Sequence, residues 1–161
     1  MFRLKTCITL AISALFSASG ATAHHSYAMY DRNTVYVFTG VVDSINPDAS
    51  HLQINFVPLN DERDALVRDA SGERVTWNVE MEGAAAAARE GISISSFPRG
   101  TVFSVGISPL RNGEPGGVRV GGIFKCAGDS APAAGMHCDS LDNALHIGEQ
   151  ALPEPTTRWA P

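Results

Sequence analysis

The sequence VTWNVEMEGAAAAAREG, residues 75–91, joins the clearest predicted strand of this 161-residue chain to a short run of strong helix formers. In its first half, apolar Val75, Trp77, Val79 and Met81 alternate with polar Thr76, Asn78 and Glu80. This alternation predicts a half-buried strand. The five alanines at 84–88 then predict a helix, and Gly91 is placed to end it.

Two further predicted strands precede this stretch and two follow it, at residues 34–45, 52–56, 101–108 and 118–124. Gly40 interrupts the first of them and predicts a bulge or a bend. Three strands, a helix and two strands are the element order of the OB-fold, a five-stranded Greek-key barrel. An immunoglobulin-like sandwich would need about seven strands. We therefore predict an all-β chain with one short helix, folded as an OB-fold-like five-stranded barrel.

The first 23 residues have the three parts of a secretory signal. Arg3 and Lys5 are followed by a mostly apolar run at 7–16 and by small residues at Ala21 and Ala23. The apolar run is shorter than the roughly 20 residues that span a bilayer, and no later segment comes closer. We predict a signal peptide at 1–23, a periplasmic or secreted protein without a membrane span, and a barrel domain at 24–125.

The charge of the chain argues against nucleic acid as a partner. The formal net charge of −5 becomes −7 once Arg3 and Lys5 are removed with the signal peptide. Nucleic-acid affinity depends mainly on Lys and Arg contacts to phosphates, and the chain has no basic run that would supply them.

Cleavage after Ala23 leaves two cysteines, Cys126 and Cys138, which predict a disulfide in an oxidising compartment. A Met-His-Cys metal cluster at 136–138 is the alternative, but adjacent side chains seldom face one centre. Residues 126–161 are rich in Ala, Gly, Pro, Asp and Ser, and predict a disulfide-tethered appendage followed by a loose C-terminal tail. His137 and His146 are assigned to the surface of this appendage.

Five short motifs occur in order along the chain: HHSYAMYD (24–31), TGVV (39–42), NP (46–47), WNVE (77–80) and PLRNG (109–113). Together they resemble a family of uncharacterised exported bacterial proteins with a mature His-His-Ser N terminus and an OB-like barrel. The resemblance implies no activity. Where the family has Asn-Pro-His, this chain has Asp48, and His51 follows three residues later. His51 could take the place of the missing histidine, or Asp48 could serve as an oxygen ligand.

A histidine at the mature N terminus would offer a metal two ligands, its α-amino group and its imidazole. His24 would supply both, and His25 or His51 would complete three nitrogens, a set that favours Cu(II). If Ala23 is retained, Ala23-His24-His25 still places a histidine third, as in a square-planar copper or nickel chelate. The alternative is that both histidines are polar residues of a frayed terminus. The aromatic residues after His25 instead predict that this segment packs on the barrel.

No common catalytic motif is present, because the chain lacks Gly-x-Ser-x-Gly, His-Glu-x-x-His and a phosphate loop. A candidate ligand face includes Trp77, which could otherwise be a core residue, and Glu80, which could pair with Glu82 or be merely solvated. The sequence favours a small-ligand-binding protein that binds copper over an enzyme. The alternatives are a copper-dependent oxidase using the same N-terminal histidine and a metal-free envelope domain that binds another envelope protein or a glycan.

Overall fold

In the computed structural model, which describes residues 27–161, five strands and one helix follow the predicted order. The elements are β1 (Tyr36–Pro47), β2 (Leu52–Pro58), β3 (Trp77–Glu80), α1 (Ala84–Glu90), β4 (Val102–Pro109) and β5 (Gly116–Lys125). A sixth strand that we did not predict, β6 (Leu145–Ile147), follows them. The predicted signal peptide, His24 and His25 lie outside the described residues. Within residues 27–161, no helix is both long enough and apolar enough to cross a membrane.

The five main strands close into a barrel. β1 pairs antiparallel with β2 on one edge and with β4 on the other, β2 pairs with β3, and β4 pairs with β5. A parallel pairing of β3 with β5, in which Val79 lies opposite Gly117, completes the ring. This closure leaves the barrel strands paired on both sides, and β6 adds to β5 as an antiparallel extension. The predicted all-β, OB-like barrel with one short helix is confirmed.

Gly40 lies in the part of β1 that pairs with both of its neighbours. A Cβ atom at Gly40 would come 2.5 Å from Cδ2 of Phe56, so the glycine makes room for that ring. The bulge in β1 falls instead at Asp43, between Val42 and Ser44. The glycine therefore serves packing inside the barrel, and the predicted irregularity occurs three residues later.

The core contains the apolar faces that alternation predicts for the first four strands. Its buried members include Phe38, Val42, Leu52, Ile54, Phe56, Trp77, Val79, Met81, Phe103, Val105 and Ile107. Helix α1 adds Ala87 and ends at Gly91, whose φ of 97° is a conformation that glycine adopts without strain. The buried apolar side chain of β5 is Ile123, which follows an irregularity at Gly121 and Gly122.

Cys126 and Cys138 form the predicted disulfide, with their Cα atoms 4.9 Å apart. Both cysteines are buried against Val102 at the start of β4. The appendage that they tether returns to the barrel through β6, where Ile147 pairs with Ile123 and joins the core.

The C-terminal residues also contact the barrel. The amide of Thr156 donates to the Val35 carbonyl at 3.0 Å, and the amide of Val35 donates to Thr156 Oγ1 at 2.8 Å. The Trp159 ring packs edge-on against Phe38 and Trp77, with centroid distances of 5.4 and 5.6 Å. The proline-rich composition that predicts a loose tail gives no sign of these contacts.

Candidate functional site

A groove of about 670 Å³ lies between β3, β5, the start of β2 and the segment that leads into β1. Because Val79 and Met81 point into the core, the alternation of β3 sends Glu80 and Glu82 to the outside. The side chains of Tyr30, His51 and Arg119 also line the groove. Several ionisable side chains therefore lie together in the groove, on the outer face of β3.

His51, Glu80 and Tyr30 form the centre of the groove. Nδ1 of His51 lies 3.3 Å from Oε1 of Glu80, and the Tyr30 hydroxyl donates to the same oxygen at 3.1 Å. The other oxygen of Glu80 accepts a 3.4 Å hydrogen bond from Gln53. A carboxylate beside Nδ1 favours the tautomer with its hydrogen on that nitrogen, so Nε2 carries the lone pair that a metal requires.

The turn before β2 places His51 at this position. Oδ1 of Asp48 accepts the backbone N–H of Ser50 at 2.8 Å and, more weakly, that of His51 at 3.4 Å. These hydrogen bonds, with that of Ser50 the larger cause, lower the pKa of the Asp48 carboxyl group. Of the two residues considered for the missing histidine, His51 faces Glu80, while Asp48 stabilises the turn.

Arg119 on β5 also lines the groove and binds one of the two carboxylates of the predicted pair. Its guanidinium lies 3.2 Å from Glu82 Oε1 and 2.8 Å from Glu90 Oε2, with a side chain that is 16% exposed. The hydrogen bond from Arg119 is the main cause of the lowered pKa of Glu90. Glu80 and Glu82 thus have separate partners and do not form one acid–base pair.

The remaining predicted site residues are Trp77, His24 and His25. Trp77 is 3% exposed and belongs to the core, so it does not share the outward face of Glu80. His24 and His25 fall outside the described range. Across residues 27–161, no three His, Cys, Asp or Glu side chains are grouped so that they could hold a metal ion. A complete nitrogen ligand set at His51 would therefore need the N-terminal segment.

The N-terminal lead-in packs on the barrel where the structure describes it, as its aromatic residues predict. Tyr30 is 5% exposed and forms a β-bridge with Leu110. The amide of Asp31 donates to the Pro109 carbonyl at 2.8 Å. No local sequence pattern predicts the partner of Tyr30, because Glu80 is 50 residues away along the chain.

The histidines of the appendage differ from each other. His146 is exposed and stacks on Phe124, with ring centroids 4.3 Å apart. His137, which we assigned to the surface, is half-buried and contacts Thr39 through Nδ1 at 2.8 Å. Its surface assignment was wrong because the disulfide at Cys138 draws it against the barrel.

Comparison with known protein families shows which family the chain resembles. The sequence profile of DUF6152, a family of unknown function, matches residues 13–119. No curated protein and no solved structure matches the chain. The matched range runs from the apolar part of the predicted signal peptide into β5 and includes every residue at the centre of the groove.

Proposed function

Because the chain belongs to DUF6152, a family of unknown function, we propose a function from the groove itself: an exported small-ligand-binding barrel that binds copper through His51 and the mature N-terminal histidine, His24. The observation that carries the proposal is the shared carboxylate oxygen of Glu80, which contacts both His51 and Tyr30. Through this oxygen, the His51 ring lies close to Tyr30, which holds the N-terminal segment on the barrel.

The first step of the argument is the orientation of His51. Metal-binding histidines commonly donate their second ring N–H to a carboxylate, which fixes the ring and raises its basicity as a ligand. Glu80 stands in that relation to Nδ1 of His51. The hydrogen bonds that Tyr30 and Gln53 give to Glu80 hold the carboxylate in turn.

The second step is the reach of the N terminus. Tyr30 comes six residues after His24 and five after His25. An extended chain spans at most about 3.6 Å per residue, so the Cα atom of His24 lies within about 22 Å of that of Tyr30. Since Tyr30 is fixed beside Glu80, the connecting segment is long enough for His24 to reach His51.

The third step is the choice of metal. An α-amino group and two imidazoles form a set of three nitrogen ligands, with His25 as an alternative source of the third. Nitrogen-rich tetragonal sets favour Cu(II), which also stands highest in the affinity order of divalent first-row metals. Copper is therefore the metal that this set would select, and Glu80 supports the set without supplying a nitrogen.

The test compares authentically processed protein with a variant that carries three extra alanines ahead of His24, because a single alanine would create the Ala-His-His chelate and three move both histidines beyond the third position. We expect the processed protein to bind one Cu(II) ion with a three-nitrogen electron paramagnetic resonance spectrum, and the extended variant to bind it more weakly. His51→Gln should also weaken binding. His146→Gln is the matched control, because His146 does not line the groove.

Equal copper binding by the processed and extended proteins would contradict the N-terminal chelate. A processed protein that takes up no copper would instead favour the metal-free envelope interaction domain. The mass of the mature N terminus, measured on the same sample, identifies the cleavage site on which the comparison depends.

A further inference from the structure

A second cavity, of about 820 Å³, lies beside β1 and shares no lining residue with the groove around His51. It is bounded by β1, the loop at 59–63, the disulfide loop and the C-terminal residues 155–161. Its apolar lining includes Val37, Phe38, Leu59, Val67 and Trp159, and its polar lining includes Arg63 and His137. Small-molecule sites commonly combine such an apolar wall with a few convergent polar groups, in volumes of roughly 300–1,000 Å³.

Arg63 is a half-buried cation without a matching anion. Its Nε donates to the Met136 carbonyl at 2.9 Å and its Nη1 to the Asn60 carbonyl at 2.8 Å, so both partners are neutral. Within residues 27–161, no carboxylate forms an ion pair with it. Burial lowers the pKa of the Arg63 guanidinium, as expected for a charge that has lost water without gaining a counter-charge.

The loop holds Arg63 in a strained conformation. Its φ of 63° lies in the left-handed region, which is costly for residues other than glycine. The amide of Arg63 donates to the Asn60 carbonyl, and the Asn60 side chain accepts the amides of Asp64 and Ala65. The same loop thus fixes the backbone and, through the Asn60 carbonyl, the guanidinium.

A buried chain of hydroxyl groups orients His137 on the other side. Ser104 Oγ lies 2.7 Å from Thr39 Oγ1, which lies 2.8 Å from His137 Nδ1, and Ser104 Oγ accepts the Cys138 amide at 2.9 Å. If Ser104 donates to Thr39 and Thr39 donates to Nδ1, both hydroxyl hydrogens have an acceptor. The reverse order would leave the buried Ser104 hydrogen without an acceptor among the hydrogen bonds of residues 27–161.

The hydroxyl chain therefore makes Nδ1 of His137 an acceptor and puts its hydrogen on Nε2. Burial, and to a smaller extent the charge of Arg63, lower the pKa of His137, while Asp139 acts in the opposite direction. The ring is neutral at pH 7. The ring therefore adds an N–H donor to the cavity wall and no negative charge that would pair with Arg63.

We propose that this cavity binds a small organic carboxylate, with its carboxylate against Arg63 and His137 and its apolar body against Phe38 and Trp159. An arginine fork matches the geometry of a carboxylate, and only two of its five N–H donors have partners in the loop and disulfide segment. Arg158 also lines the cavity, but it is paired with Asp61. Glu62 lines the cavity too, but no ion pair joins it to Arg63 within residues 27–161, so Arg63 is the cation that remains for a ligand.

The test uses naphthalene-1-acetate and its neutral counterpart naphthalene-1-acetamide as probes, titrated calorimetrically into the disulfide-intact protein. We expect the acid to bind at least about tenfold more tightly than the amide, because a hydrogen bond to a charged group is lost in the amide. In Arg63→Gln this preference should disappear. Equal affinities in the unaltered protein, or no binding of either probe, would overturn the proposal.

Arg158→Gln is the matched control in the same cavity, and we expect it to keep the preference for the acid. A loss of preference there equal to that of Arg63→Gln would overturn the assignment to Arg63. Thermal unfolding shows whether Arg63→Gln is folded. Arg63→Lys provides a second variant that keeps the charge without the fork, and a folded lysine variant with no preference for the acid would also count against the proposal.

Discussion

The groove around His51 and the cavity around Arg63 lie on one barrel but are built from different parts of the chain. The groove combines the strand residues Glu80 and Arg119 with residues of the segments that lead into β1 and β2, and Arg119 there has two carboxylate partners. The cavity is closed by a loop, a disulfide segment and the C-terminal residues, and Arg63 there has only carbonyl partners among the hydrogen bonds of residues 27–161.

Because of this difference, the two sites depend on different structural elements for their stability. Partly exposed ion pairs such as those of the groove contribute about 0–1 kcal/mol each, so the groove depends mainly on the barrel beneath it. The cavity depends on segments that contribute to stability and also form its walls. Changes to the disulfide or the C-terminal residues should therefore alter the cavity and leave the groove intact, whereas changes to Glu80 should do the reverse.

The largest expected effect comes from removing the disulfide by Cys126→Ala together with Cys138→Ala. The two cysteines are 12 residues apart, and closing a loop of about this size stabilises a protein by about 3 kcal/mol. We expect the free energy of unfolding, measured in denaturant, to fall by about that amount. Naphthalene-1-acetate binding should be lost and copper binding retained. Simultaneous loss of both in folded protein would show that the two sites are not independent.

The next effect is that of Trp159→Ala, which removes the ring packed on Phe38 and Trp77. Truncating a fully buried tryptophan costs about 3–5 kcal/mol, and because Trp159 is partly exposed we expect about 2 kcal/mol. Denaturant unfolding measures the loss, and Trp159→Phe should recover part of it. A change below about 0.5 kcal/mol, typical of surface positions, would mean that the C-terminal residues do not pack on the barrel in solution.

The five barrel strands could be predicted because each one has its own local sequence pattern, whereas β6 was not predicted. In β3 every second residue is apolar, and the core uses Trp77 and Val79 as that pattern requires. The helix could be predicted from its alanines and from Gly91, whose positive φ ends it. These features depend on neighbours within a few residues, which a single sequence displays directly.

The contacts that form the two sites could not be predicted in the same way. Tyr30 and Glu80 are 50 residues apart, and Arg63 and Met136 are 73 apart, so each contact exists only because the barrel and the disulfide bring distant segments together. The packing of Trp159 likewise has no local pattern. The histidine at position 51 was a candidate from the turn before β2, but its carboxylate partner needed the register of β2 with β3, in which Gln53 lies opposite Glu80.

A smaller effect, confined to the groove, is expected for Glu80→Gln. The amide keeps the shape of the carboxylate but loses the charge beside Nδ1 of His51, and loss of such a supporting carboxylate typically weakens metal binding about 10–100-fold. We expect copper affinity, measured by competition with a chelator, to fall by about tenfold. Glu82→Gln is the matched control, because Glu82 pairs with Arg119. Equal effects of the two variants would contradict the role of Glu80, as would any change in naphthalene-1-acetate binding.

The smallest effect is a pH dependence of the protein's stability that comes from His137 in the cavity wall. Burial, and then the charge of Arg63, lower the pKa of His137 in the folded protein, whereas in the unfolded chain it returns to its ordinary value near 6.5. The unfolded state then binds more protons between these two pKa values. The stabilisation is complete above the unfolded value and is lost as the pH falls toward the folded one.

We therefore expect the thermal midpoint to fall between pH 7.5 and pH 5 by more in the unaltered protein than in His137→Gln. The carboxyl groups that titrate at lower pH are common to both proteins, so the difference between the two profiles isolates the histidine. Because His137 is only half-buried, solvent still stabilises part of its charge, and the difference should be smaller than the effects above. Parallel profiles would mean that the ring charges as easily in the folded protein as in the unfolded chain, and the neutral donor assigned to the cavity would then be wrong.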